Sequence, residues 1–258
     1  MRALLASLQK FPAFLSFRDA LAFLSRLVPP SSGYDGTGLG NSVPFFPLAG
    51  ALLGALAGFP AFLAFLAASP QTASWLTAFA YAIILAWLTR GLHWDALADL
   101  ADACGSHAPD DRFWDIIKDS RIGAFGVTSL VFGISAQIIG AQACIGAGNP
   151  LALVLAPAFG RAMVIPLGRM TTPHPRSSLA ALVQPGTRST SALAAFGVTI
   201  LAAFLILGFA SFVLSLVLVV CALVFLVRVA ARHDGVNGDF HGTAIIAGEL
   251  AILVAAGI

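Results

Sequence analysis

The sequence predicts an all-α, polytopic membrane protein with about seven spans, preceded by an N-terminal helix lying in the membrane interface. Three observations predict it. Hydrophobic residues make up 59% of the 258 and charged residues only 10%, against about 25% charged in soluble domains. The apolar residues fall into runs long enough to cross a bilayer, about 20 residues each. The Lys and Arg residues occupy alternate connections between those runs. The whole chain, 1–258, reads as a single integral membrane domain, with 1–30 as the interfacial helix and 90–123 as a cytoplasmic acidic segment.

Within 11–28, Phe17, Leu21, Leu24 and Val28 share one helical face, and Arg18, Asp19, Ser25 and Arg26 share another. That pattern suits a helix in the headgroup region, or one packed across the top of a bundle. The charges interrupt the apolar stretch, so it does not read as a cleaved signal peptide. Residues 31–42, rich in Gly and Ser, read as a loop. Spans are expected at about 44–68, 73–89, 124–147 and 149–168. The nearly uncharged 191–230 would make about 60 Å of helix, roughly twice the hydrocarbon core, and so reads as two spans turning near 208–211. A last span at 243–258 carries Glu249. The polar stretch 169–190 contains Pro173, Pro175, Pro185 and Gly186 and reads as a loop, and Gly235, Gly238 and Gly242 suggest another between the last two spans.

The turns near 69–74, 146–149 and 208–211 carry no charge. With seven spans, every basic connection falls on the opposite side: Arg2 and Lys10; Arg90, Arg112, Lys118 and Arg121; Arg169, Arg176 and Arg188; Arg228 and Arg232. The positive-inside rule makes that side cytoplasmic. A net charge of only +2 argues against nucleic acid or another polyanion as a partner. Cys144 and Cys221 sit in apolar stretches as core filler and Cys104 in a polar loop. No CxxC or Cys/His spacing supports a zinc site or a disulfide framework.

Chemistry concentrates on the charged side. Asp95, Asp99 and Asp102, at i, i+4 and i+7, fall within an arc of about 60° on a helix. Three carboxylates so close repel one another unless a cation sits between them, and hard cations such as Mg²⁺ take such oxygens together with substrate phosphates. The alternative is a solvated acidic face. In Lys118-Asp119-Ser120-Arg121-Ile122-Gly123-Ala124-Phe125-Gly126, Lys118 and Arg121 are suited to clamping phosphate, or to anchoring a helix at the headgroups. Gly123 and Gly126 would allow backbone or ligand to come close. Arg161, inside an apolar span, either pairs with an acid or faces an anionic substrate. Asp239 and His241 are candidates for acid/base or metal roles, and Glu249 is expected to face the bundle interior. Acids, cations and glycines from distant parts of one face resemble a phosphoryl-transfer site.

GLHWDALADLADACG, then KDSRIGAFG, then GVNGD together resemble the adenosylcobinamide-GDP ribazoletransferases, or cobalamin synthases. The N-terminal FLSRLVPP is similar to that family's opening segment. Ala96 stands where Gly is expected, Leu100 and Cys104 where small or polar residues are usual, and Asn237 where Thr is usual. No carboxylate is lost. The resemblance implies transfer of the adenosylcobinamide-phosphate group from adenosylcobinamide-GDP to α-ribazole or its 5′-phosphate, with release of GMP. It implies Mg²⁺ held by Asp95, Asp99 and Asp102, which with Asp239 form the catalytic set. His93, Lys118, Asp119, Arg121, Arg161 and Asn237 are expected to bind substrate. The implied setting is the lipid bilayer of a bacterial cytoplasmic (inner) membrane, with the site facing the cytoplasm; a homo-oligomer stays open. Two alternatives are a CDP-alcohol phosphotransferase, whose Ala-Arg pair after the first acidic group is missing, and a transporter, which would need carboxylates within several spans.

Overall fold

The structure is a computed structural model and describes residues 12–29, 38–66 and 72–257. Arg2, Lys10, most of the Gly/Ser loop expected at 31–42 and half of the turn expected near 69–74 lie outside the described residues. The regular structure of the described residues is entirely helical, apart from a single isolated bridge between Pro173 and Val236.

Helix α1 (Pro12–Leu24) buries Ala20, Leu21 and Leu24. Helix α2 (Leu39–Ser42) runs through a 3₁₀ turn (Val43–Phe45) into α3 (Phe46–Leu66). The first span therefore starts earlier than expected, at Leu39, and Pro44 is taken up at the start of the 3₁₀ turn. Next come α4 (Thr72–Leu88), α5 (Leu92–Gly105), α6 (Asp110–Ile117) and α7 (Ala124–Gly146). The fourth expected span is two helices, α8 (Leu151–Ala162) and α9 (Val164–Met170), broken at Met163. Pro166 cannot donate to Ala162, which explains the break. The chain continues through α10 (Ser178–Thr187), α11 (Thr190–Leu207), α12 (Phe209–Arg232) and α13 (Gly238–Ala256).

Among the described residues six stretches are long and apolar enough to cross a bilayer: Leu39–Leu66, Ala124–Gly146, Leu151–Met170, Thr190–Leu207, Phe209–Arg232 and Gly238–Ala256. A seventh is reached only if Ser74–Leu88 and Leu92–Gly105, bent by 87°, count as one. The bend is made by Arg90 and Gly91, both left-handed with φ of 59° and 68°. Arg90 is an uncommon residue for that conformation; its guanidinium donates to the Phe23 carbonyl at 2.9 Å. The Arg26 N–H likewise donates to the Leu88 carbonyl at 2.9 Å, so α1 is packed onto the bundle at this corner.

The α8–α9 span and α13 form the centre, 78% and 72% buried, whereas α11 and α12 are 17% buried each and lie outermost. Along α3, the stripe Gly50, Gly54, Gly58 meets the backbone at Pro157 and the Leu153 side chain of α8. Without a hydrophobic drive between helices in lipid, such close backbone contact supplies the packing.

Several expectations are corrected. Residues 178–187 are helical rather than loop, because Ser177 caps α10 by accepting from the Ala180 N–H at 3.2 Å, and Pro185 falls only in the last turn. Ser25 is not on a polar face; it is buried, and its hydroxyl donates to the Leu21 carbonyl at 2.7 Å. Cys104 lies in α5 rather than a loop, and Cys221 is exposed on α12 rather than buried. Asp239 and His241 lie in the first turn of α13, so the loop is only 233–237.

At the charged end, the rings of Phe113 and Trp114 from α6 stack on His233 at 3.8 Å and His174 at 4.0 Å. Burial, and then Arg176, hold the His174 imidazole below its usual range. This clasp joins the three polar connections on one side. Single cysteines at the exposed Ser106, Ser178 and Arg232, in a background lacking the native cysteines, should therefore be labelled from one side of the membrane. A cysteine at Ala147 should be labelled from the other. Mixed accessibility among the first three would break the topology.

Candidate active site

Helix α5 turns His93, Trp94, Ala96, Ala98, Leu100 and Ala103 inward. Trp94 sits against Gly133 of α7, and Ala96 fits against Gly242 of α13, which has no side chain to obstruct it. The Thr243 hydroxyl also donates to the Ala96 carbonyl at 3.3 Å. So anchored, the helix leaves Asp95 exposed and Asp99 and Asp102 half-buried.

Asp102 has a definite partner. Its Oδ2 accepts from the Gly123 N–H at 2.7 Å and its Oδ1 from the Gly126 N–H at 2.8 Å. The carboxylate thus satisfies free N–H groups at the start of α7, in the place a capping side chain would take. A methyl group on Gly123 or Gly126 would overlap that carboxylate. These two glycines therefore serve Asp102, a link that nothing in the sequence spacing indicates. Each Asp102 oxygen keeps a second lone pair, but the expectation of Asp102 as an equal member of a metal triad is revised: it holds α5 to α7.

Asp239 enters from the first turn of α13. The Asn237 carbonyl oxygen caps that helix, accepting from the Asp239 and Phe240 N–H groups at 3.1 and 3.4 Å, while its amide donates to Asp239 Oδ2 at 2.7 Å. Asn237, expected to bind substrate, orients Asp239. Asp99 lies within electrostatic reach of Asp95, Asp239 and Asp102. Among the described residues no Lys, Arg or His forms an ion pair with any of these four carboxylates. Asp95 and Asp239, with His93 and His241, line a cavity of about 110 Å³ whose remaining wall is largely apolar.

The basic residues separate. Lys118 and Arg121 are exposed at the same end of the bundle. Arg121 grips Asp119, its Nε and Nη2 donating at 3.0 and 2.7 Å, and these hydrogen bonds hold the Asp119 carboxyl down to about 2. Asp119 is therefore the partner of Arg121. Arg161 is corrected more strongly. It is fully buried, does not line the cavity, and pairs with Glu249, which is 2% exposed. Glu249 also accepts from Gln137 at 3.3 Å, and Arg161 Nη2 donates to His93 Nδ1 at 3.3 Å. His93 is thus held from behind by Arg161. The buried pair ties α8 to α13, with α7 and α5 joined through Gln137 and His93.

Fold and site define a polytopic α-helical membrane protein with a carboxylate-lined site at the charged end of its bundle. The chain belongs to the cobalamin-5-phosphate synthase family, which it matches over residues 16–257. It is 43% identical over 232 residues to an adenosylcobinamide-GDP ribazoletransferase of Nitratidesulfovibrio vulgaris strain Miyazaki F, covering 90% of each chain. It is 34% identical over 246 residues to the protein of that name from Citrobacter koseri, covering 93% of this chain and 98% of the relative. No solved structure matches the chain.

Two outcomes follow from the geometry. Gly126→Ala should displace Asp102 and cost about 1–3 kcal/mol, lowering the melting temperature and activity although no carboxylate is removed; wild-type values for both would show that the contact is dispensable. Arg161→Met should cost about 3–5 kcal/mol by leaving Glu249 charged and alone, whereas Arg161→Met with Glu249→Leu should recover most of it. Thermal melts in one detergent compare them, and a double variant no more stable than the single one would contradict a structural pair.

Proposed function

We propose that this chain transfers the adenosylcobinamide-phosphate group from adenosylcobinamide-GDP to α-ribazole or its 5′-phosphate and releases GMP, at the cytoplasmic face of a bacterial inner membrane. The names of its relatives supply the reaction, and the observation that carries it to a site is the gathering of Asp95, Asp99 and Asp239, without cation partners, beside a cavity. The basic connections at that end favour the cytoplasmic orientation.

The donor set suits Mg²⁺. Among the described residues no three acidic, His or Cys side chains close into a ready-made cage, and Mg²⁺ characteristically uses one or two carboxylates, waters and substrate phosphates. Asp95 and Asp99 would hold it, with Asp102 behind them. Bound there, it would neutralise the diphosphate and the departing GMP.

The side chains do the rest. Asp239 Oδ2 is held by Asn237, which leaves Oδ1 to accept the proton of the attacking ribose hydroxyl. The hydroxyl oxygen bonds to the phosphorus on the cobinamide side as the bond from that phosphorus to the GMP oxygen breaks. Lys118 and Arg121 meet phosphate oxygens at the rim. The Arg121–Asp119 pair is exposed and screened by water, so exchanging Asp119 for phosphate costs little.

Purified protein should release GMP from adenosylcobinamide-GDP only with α-ribazole and Mg²⁺ present. Asp95→Asn, Asp99→Asn and Asp239→Asn should each lower turnover by about 10²–10⁴-fold, and the first two should raise the Mg²⁺ needed for half-activity. Near-normal turnover with unchanged Mg²⁺ dependence in all three would leave only a solvated acidic face.

A further inference from the structure

Among the described residues, two buried side-chain nitrogens have no hydrogen-bond partner: Arg161 Nε and His241 Nδ1. Leaving such a group unmade costs about 1–3 kcal/mol, and an orphan of this kind calls for a reason. Arg161 lies off the cavity, and its other nitrogens are engaged. His241 is different. It is only 7% exposed, it lines the cavity, and it stands two residues from Asp239. The other cavity histidine, His93, already accepts from Arg161.

The cavity has two characters. Phe46, Val183 and Ile245 contribute to an apolar wall, while Asp95 and Asp239 form a polar side. An apolar slot with acids beside it and His241, whose Nδ1 is unpaired, in its wall fits a flat heteroaromatic ring joined to a hydroxylated sugar. Pockets of this kind take orientation from a few placed polar groups. A phosphate would find no Lys or Arg side chain here, because Lys118, Arg121 and Arg161 do not line the cavity.

We propose that this cavity seats the base of the acceptor nucleoside, with His241 Nδ1 hydrogen-bonding a ring nitrogen of that base and Asp239 beside the ribose. The assignment rests on the transfer reading above. It makes His241 a substrate-binding residue for one substrate only.

The test uses the full chain in lipid nanodiscs. Equilibrium dialysis with α-ribazole alone measures nucleoside binding, and steady-state assays give KM for each substrate. His241→Leu should weaken nucleoside binding and raise its KM about tenfold, the loss of one good hydrogen bond, with KM for adenosylcobinamide-GDP unchanged. His241→Asn places an amide near the position of Nδ1 and should restore most of the affinity. Val183→Phe should weaken nucleoside binding by filling the slot, which keeps the assignment testable if a His241 variant folds poorly. Wild-type affinity in both His241→Leu and Val183→Phe, equal movement of both KM values, or no nucleoside binding by the wild type would overturn it. Nucleoside binding without GMP release would instead sink the transfer reading and leave the cavity assignment standing.

Discussion

A helix that begins at the edge of a bilayer presents N–H groups with no partner from its own backbone, and lipid offers none. In this protein Asp102 supplies them. The same carboxylate that ends the acidic stripe of α5 closes the start of α7, and the site depends on that contact. It fixes one end of α5, while His93 and Trp94 fix the other in the bundle interior. Between these anchors Asp95 and Asp99 are presented side by side. Asp102 thereby withstands the repulsion of its neighbours, because two backbone dipoles face it.

The acids converge because the central helices are fixed by groups that have nowhere else to go. Arg161 and Glu249 bind α8 to α13, and α13 then carries Asp239 up to α5 with Ala96 against Gly242. In water such a pair contributes little; inside an apolar bundle, removing one member leaves a bare charge. The outer hairpin, α11 and α12, adds few buried contacts. Precision at the site comes from α5, α7, α8 and α13, and from the aromatic clasp of Phe113 and Trp114 over the two loops.

The spans were legible because apolar length is nearly sufficient to define a membrane helix. The turn at Gly208, with φ of 73°, falls where helix length demands one. The start of α13 was not legible: Gly235, Gly238 and Gly242 look like loop punctuation, yet Asn237 caps the helix and the glycines meet other chain segments. α10 was hidden by the prolines around it. In the site, the shared face of Asp95, Asp99 and Asp102 could be read from spacing. The separate duty of Asp102 could not, because its partners are backbone atoms more than twenty residues away. Arg161 was conspicuous as a charge in lipid, but one sequence does not reveal which acid answers it.

The distance along the chain between Arg161 and Glu249, 88 residues, has a consequence for how the protein is made. At about 5–20 residues per second, the ribosome needs roughly 4–18 s to travel from one to the other. During that interval α8 must enter, or wait beside, the membrane with an unanswered guanidinium, a burden of about 2.5–3.5 kcal/mol on the insertion scale. The hairpin of α11 and α12 is synthesised meanwhile and can insert without help. The central tie can therefore close only after the outer hairpin has been made, once α13 has left the ribosome.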